Sequence, residues 1–273
     1  MIKCNNWPIA VCTWSLGSDF NTLASLRRQT NLSCIHLALS PALAEDGQNY
    51  VEQVQKQNWD IIATMIDFPQ EDYSTLESIK ATGGIVPDRY WPDNKKRVFD
   101  AIDITAGLEV KYLSLHFGFL DISDDKSVGK FTERTKILAD RAAQNNIQLL
   151  METGQESANH LRDFLERINH PALAVNFDPA NMILYDKGDP IEAVQILAQW
   201  IKHVHIKDAL RTQTPGTWGA EVPWGDGQVG PDGFLKALGQ AGCTGPLAVE
   251  REAGDKRFED IKLAVLRLCE YSG

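Results

Sequence analysis

Residues 173–179, LAVNFDP, and 201–208, IKHVHIKD, decide the fold. Each is a short run in which apolar and polar residues alternate before it finishes on a charge. In the first, Ala174, Asn176 and Asp178 share one face, and Val175 and Phe177 the other. In the second, His203, His205 and Lys207 oppose Val204 and Ile206. Successive side chains of a strand point to opposite faces, so both runs carry a branched apolar face and a polar one. The run 246–252, PLAVERE, repeats the pattern, with Ala248 and Glu250 opposite Leu247 and Val249. A strand packed under helices on one side and facing a closed interior on the other needs this division.

Further strand candidates lie at 9–16, 34–40, 60–68, 112–118 and 147–153. Amphipathic segments such as 132–145, 190–200 and 256–269 separate them. Strands alternating with helices indicate a parallel sheet with crossover connections. Eight strands in 273 residues predict an α/β fold, a single-domain (β/α)8 TIM barrel over 1–273. No Pro/Ser/Gly-rich linker divides the chain. Two stretches, 69–100 and 209–231, are longer than a connection needs, and both follow strands. They are expected at the catalytic rim as walls or a lid, or else as plain ordered insertions.

Composition narrows the class. With 43% hydrophobic and 23% charged residues the chain is ordinary for a soluble globular protein. A net charge of -10 repels phosphates and predicts no nucleic-acid partner. Cys4, Cys12, Cys34, Cys243 and Cys269 are scattered and form no CxxC pair, which predicts neither a disulfide framework nor a zinc knuckle. A cytoplasmic location fits that usage. The first residues do not read as a signal peptide, and no apolar run reaches the length of a membrane span, so no membrane association is expected. A homo-oligomer stays open.

The chemistry sits at four consecutive strand ends: Glu152 in LLMETG, Asp178, His205 and Glu250. In a parallel barrel those ends converge on one face. Carboxylates crowded there repel one another and lose solvation, so they need a cation. Salt bridges to Lys207 or Arg251 account for any one of them. All four in register favour a single divalent metal. Three carboxylates and an imidazole make a hard donor set, suited to Mn2+, Mg2+ or Co2+, with Zn2+ admissible.

The tracts NFDPANMILY (176–185), WIKHVHIKDA (200–209), PGTWGAEVPWGDGQV (215–229) and GPLAVEREAG (245–254) resemble the xylose isomerase-like TIM barrels, in particular sugar phosphate isomerases and epimerases. The resemblance covers essentially the whole chain. In ketose 3-epimerases of that family a Glu, an Asp, a His and a Glu on strands five to eight bind Mn2+ or Co2+. Those roles fall here on Glu152, Asp178, His205 and Glu250. One departure is Asn181, where several such epimerases carry a histidine. Asparagine exchanges hydrogen bonds but relays no proton near neutrality.

The resemblance implies a metal-dependent isomerase or epimerase of a keto or aldo sugar, phosphorylated or not. In it a metal stabilises an ene-diolate while Glu152 and Glu250 act as paired acid and base. His116, Asn181, Lys207 and Arg251 are the candidate polar contacts to the sugar. Trp14, Phe117 and Trp224 are candidates for its apolar wall, and His36 is a weaker substrate candidate. Asp208 is expected to orient His205, and His203 to support it from below. A lyase or dehydratase acting on a keto-sugar or keto-inositol starts from the same proton abstraction. An endonuclease IV-like repair enzyme needs more histidines than the six present. A non-catalytic sugar-binding barrel is the remaining alternative.

Overall fold

All eight apolar runs form strands: β1 (Trp7–Cys12), β2 (Cys34–Ala38), β3 (Asp60–Met65), β4 (Tyr112–Leu115), β5 (Gln148–Glu152), β6 (Leu173–Phe177), β7 (Ile201–Ile206) and β8 (Leu247–Val249). The structure, a computed structural model, describes residues 1–120, 122 and 124–272. Each strand pairs in parallel with the next, and β8 pairs with β1 to close the barrel. A short strand, Lys3–Cys4, runs antiparallel to the start of β1. Closure leaves the barrel no free edge, and parallel direction gathers every strand's C-terminal end on one rim.

The two faces divide as their side chains require. Outward-facing Ile9, Val11, Val175, Phe177, Val204 and Ile206 are fully buried or nearly so under the helices. Phe177, for example, stacks on Phe234 of the helix Pro231–Gln240 with centroids 5.9 Å apart. Inside the barrel, Ala10, Cys12, Cys34 and Ala248 form a small apolar cluster. Beside it lie His36, Thr64, Ser114, Asn176 and His203, all buried. Polar residues tolerate such an interior only when their hydrogen bonds are supplied, and these largely supply one another. Asn176 Oδ1 lies 2.7 Å from His203 Nδ1, and its Nδ2 donates to Ser114 Oγ at 3.2 Å.

Two rim segments depart from simple strand ends. β1 stops at Cys12, and Thr13–Leu16 turns through a 3-10 helix closed by Gly17 at φ +64°. The long connection after β7 opens as a hairpin of Asp208–Leu210 with Ala220–Val222. One carboxylate organises both the hairpin and the loop beyond it. Asp208 Oδ1 accepts from the backbone N–H groups of Ala209 (2.8 Å) and Val229 (3.0 Å), and Oδ2 from those of Gly225 (2.9 Å) and Gly227 (3.1 Å). A Cβ at position 227 would stand 2.2 Å from Asp208 Oδ1, so only glycine fits there.

Hydrogen bonds to a buried charge are worth more than neutral ones, and an amide NH2 facing N–H donors gives up acceptor sites. Asp208→Asn is therefore expected to cost about 2–3 kcal/mol. Urea unfolding and amide exchange over 209–230 measure it. Unchanged exchange in that segment would contradict the clamp.

Among the described residues no helix is long and apolar enough to cross a membrane.

Candidate metal centre

Glu152, Asp178, His205 and Glu250 meet at the rim, each buried, with one donor atom apiece and all four atoms within 4.8 Å of one another. Each is held by local structure. Asp178 caps the helix Pro179–Leu184: Oδ1 accepts from the Asn181 N–H at 2.9 Å, and Pro179 sits at the first helical position. Its other oxygen, Oδ2, is buried without a hydrogen-bond partner. Glu152 Oε1 accepts from Asn181 Nδ2 at 3.0 Å, and Oε2 from Asn176 Nδ2 at 3.3 Å. Glu250 Oε1 accepts from the Trp14 indole at 2.6 Å. Its Oε2 has a close ion pair with Lys207, at 2.9 Å, but no aligned hydrogen bond.

His205 completes the set. Its Nδ1 lies 3.4 Å from Glu152 Oε1, 3.4 Å from Glu250 Oε2 and 3.7 Å from Asp178 Oδ2, and it has no hydrogen-bond partner. The opposite nitrogen, Nε2, lies 3.1 Å from His36 Nδ1, and His36 Nε2 lies 3.1 Å from the Thr64 carbonyl. A carbonyl only accepts, so His36 Nε2 carries a proton. Burial, then the neighbouring His205, pushes His36 down to about 3, so it is neutral and its Nδ1 accepts. Asn176 Nδ2 also lies 3.1 Å from His205 Nε2, but its two N–H groups have acceptors in Ser114 Oγ and Glu152 Oε2. With Nε2 donating to His36, the Nδ1 lone pair of the neutral ring is free for a metal. The grouping of Cys12, His36 and His205 is accounted for by this chain, with Cys12 Sγ 4.0 Å from His36 Nδ1.

His36→Phe is expected to weaken divalent-cation binding about 10- to 100-fold, the usual cost of losing a partner that orients a ligand. Calorimetric titration with Mn2+ checks it. Unchanged affinity would show that Nδ1 needs no help.

The electrostatics call for a cation. Burial opposes the ionisation of Glu250, yet Lys207 and His205 hold its carboxyl well below the usual range. At Glu152 burial is likewise outweighed, by His116 and His205. At Asp178 burial prevails over Lys207 and keeps the carboxyl above its ordinary value. Burial disfavours charge on His205, but Glu250, Cys12 and Glu152 lift the imidazole well above its ordinary value. Without a metal the cluster thus draws a proton onto His205, the site a divalent ion would contest. Oxygen and nitrogen ligands about 2.0–2.2 Å from an ion lie roughly 3–4.4 Å apart, and His205 Nδ1 stands 3.4–3.7 Å from each of the three carboxylates. The three carboxylates carry three negative charges, matched by a divalent ion together with the Lys207 ammonium. The donor set fits a hard divalent metal.

Comparison with known proteins bears on this site. The model of the xylose isomerase-like TIM barrel family matches residues 29–269. The chain belongs to that family. Among solved structures, a xylose isomerase domain protein from Planctomyces limnophilus is 29% identical, with a TM-score of 0.87 over 96% of both chains. A D-allulose 3-epimerase from Methylomonas sp., solved with D-allulose, has a TM-score of 0.72 at 14% identity over 97% of each chain. The probable 3-DHS dehydratase of petrobactin synthesis from Bacillus anthracis has a TM-score of 0.72 at 16% identity, covering 97% of this chain and 99% of its own. The last two share the family's fold. No curated protein sequence matches the chain.

Within this family barrel the remaining expected residues separate. A cavity of about 790 Å3 opens onto Glu152 and Glu250, lined also by Trp14, His116, Asn181 and Lys207. His116 stands 3.7 Å from Glu152, and its Nδ1 is buried without a partner. His203 is buried within the barrel and bonded to Asn176. Several expectations are corrected. Arg251 faces away from the cavity: its guanidinium is held by Glu221 at 2.6 Å and Asp260 at 2.9 Å. Trp224 packs on Phe234 and Phe117 on Phe131, both in the core rather than on a sugar wall. Asp208 makes no hydrogen bond or ion pair with His205, because its oxygens are spent on the loop clamp. His36 orients His205 and does not line the cavity.

Other contacts and residues were missed. Trp14 was named as a sugar-wall candidate and lines the cavity, but its bond to Glu250 was not foreseen. Asn176 was placed on the inner face by strand parity, but its grip on Glu152 was not foreseen. Glu221, Tyr73, Tyr185 and Trp218 also line the cavity. Lys207 was expected to await substrate oxygens. It lies within 4.0 Å of Asp178, Glu221, Glu250 and Glu252.

Proposed function

We propose that the chain is a divalent-metal-dependent isomerase or epimerase of a keto or aldo sugar. One observation carries this reading: buried Glu152 and Glu250 flank Asp178 and His205, and atoms of all four that lack or share few partners converge on one point. Glu152, Asp178, His205 and Glu250 would hold the ion. When bound, it supplies positive charge beside a sugar carbonyl, making the neighbouring C–H more acidic.

The chain's own groups supply the proton transfers. Glu152 and Glu250 come from strands on either side of β6 and β7, so they approach a bound sugar from different directions. One carboxylate removes the proton beside the carbonyl and the other returns one from its own side. Asn181 and Asn176 fix Glu152, and Trp14 fixes Glu250, so both oxygens enter the reaction already oriented. His116, with its free Nδ1, is placed to bond a sugar hydroxyl. Asn181 holds Glu152 and transfers no proton.

A second reading is elimination of a β-substituent after the same proton removal. The equal TM-scores of the Bacillus anthracis dehydratase and the Methylomonas epimerase support keeping it. Incubating the Mn2+-loaded protein with a ketose panel in D2O, followed by NMR, decides between them. Hydrogen exchange at the carbon beside the carbonyl, lost on chelation and restored by Mn2+, is the expected result. Exchange that survives chelation would overturn the metal requirement. Loss of water or of a substituent would replace isomerisation by elimination.

A further inference from the structure

The cavity is larger, more aromatic and more acidic than a free monosaccharide or a sugar phosphate requires. A hexose has twelve non-hydrogen atoms. At less than the roughly 30 Å3 that one liquid water occupies, these fill under about half of the cavity. Its volume of about 790 Å3 falls within the range of pockets that enclose larger organic ligands.

The surplus space is not built for phosphate. Asp67, Glu152, Glu221, Glu250 and Glu252 all line it. Among the described residues Lys207 is the only lysine or arginine in that lining, and four carboxylates already surround its ammonium. Arg251, the nearest alternative in sequence, is bound by Glu221 and Asp260. A phosphate dianion placed here would meet carboxylates without a free cation.

The space is instead bordered by aromatic surface. Trp218, on the hairpin after β7, meets Tyr185 edge to face with centroids 4.7 Å apart. Tyr185 in turn meets Phe119 at 5.9 Å. The Trp218 indole N–H is buried and without a partner. Leu184, Met65 and Ile66 extend the apolar lining.

We infer that, in the reaction proposed above, the substrate is a keto-sugar bearing an uncharged aromatic substituent, which Trp218 and Tyr185 receive, and not a sugar phosphate. A substituent on the anomeric carbon keeps the sugar closed, so the carbonyl must lie on another ring carbon, flanked by hydroxyls. The inference rests on the metal-centred reading only for the position of the sugar ring.

Three probes test it by calorimetry on the Mn2+-loaded protein: the 3-oxo derivatives of methyl β-glucoside, of phenyl β-glucoside and of methyl β-glucoside 6-phosphate. The phenyl compound is expected to bind about tenfold or more tighter than the methyl one, and the phosphate more weakly than either. Trp218→Ala should erase the phenyl-over-methyl ratio, while Trp218→Phe should retain most of it. Equal binding of phenyl and methyl compounds, preference for the phosphate, an unaltered ratio in Trp218→Ala, or no binding at all would each overturn the inference. All three probes share the same carbonyl and hydroxyls. Failure of the metal-centred reading would instead show as affinities that ignore Mn2+ removal, equally for all three.

Discussion

If the proposed function holds, Glu250→Gln is expected to lower kcat/KM on the responding ketose by about 1,000-fold and to strip most of the divalent metal from the purified protein. Two losses combine. The ligand set falls from three negative charges to two, so the attraction for the ion weakens where a low dielectric makes charge count most. The side chain also loses the basicity that accepts a proton. The fold should survive, because Gln Oε1 can still accept from the Trp14 indole as Glu250 Oε1 does. Asp178→Asn separates the two effects: it removes a ligand charge while both proposed bases remain. Metal analysis by mass spectrometry, with rates at saturating Mn2+, distinguishes them. Saturating metal should rescue Asp178→Asn in part and Glu250→Gln hardly at all. Full metal occupancy in both variants would sink the assignment of the centre.

Lys207→Met should destabilise the metal-free protein by about 3–5 kcal/mol, the usual result of removing one partner from a buried ionic cluster. Burial disfavours the ammonium, but Glu250, Glu252, Asp178 and Glu221 outweigh this and raise Lys207 well above its ordinary value. Its stabilising charge is therefore fully present at neutral pH and is lost only as the pH rises through that elevated pKa. Without it, the carboxylates face one another with only the imidazoles of His205 and His116 to offset them. Bound Mn2+ supplies two positive charges at the same place, so the loss should be markedly smaller in the loaded protein. Urea unfolding of both proteins, with and without Mn2+, gives the comparison. An equal loss in the two states would show that Lys207 and the ion do not share the same negative charge.

The barrel and its four rim donors were legible because both follow from strand alternation. Val175 and Phe177 had to face helices, which sent Asn176 and Asp178 inward. Alternation ends where regular strand ends, and the errors began there. Trp14 lies in a 3-10 turn two residues beyond β1, so no periodicity could foresee its bond to Glu250. Arg251, two beyond β8, keeps the outward parity of Leu247 and Val249, which a substrate contact would have required it to break. Trp218 and Glu221 reach the cavity because Asp208 gathers backbone groups from as far along as Val229, a contact without any local pattern. Asp208 itself looked like a partner for His205 from its nearness in sequence. Having two oxygens and four waiting N–H groups, it was committed to the loop.

That clamp divides the hairpin into parts with different freedom to change. Its base is tied by a single residue that neither binds metal nor lines the cavity. Its tip, from Arg211 to Gly219, carries Trp218 and spans a stretch that includes several exposed residues. Substitutions or length changes at the tip can therefore alter which molecule the barrel admits while leaving its proton chemistry untouched. For protein engineering, the hairpin is an exchangeable cassette, with Asp208 and Gly227 as its fixed sockets.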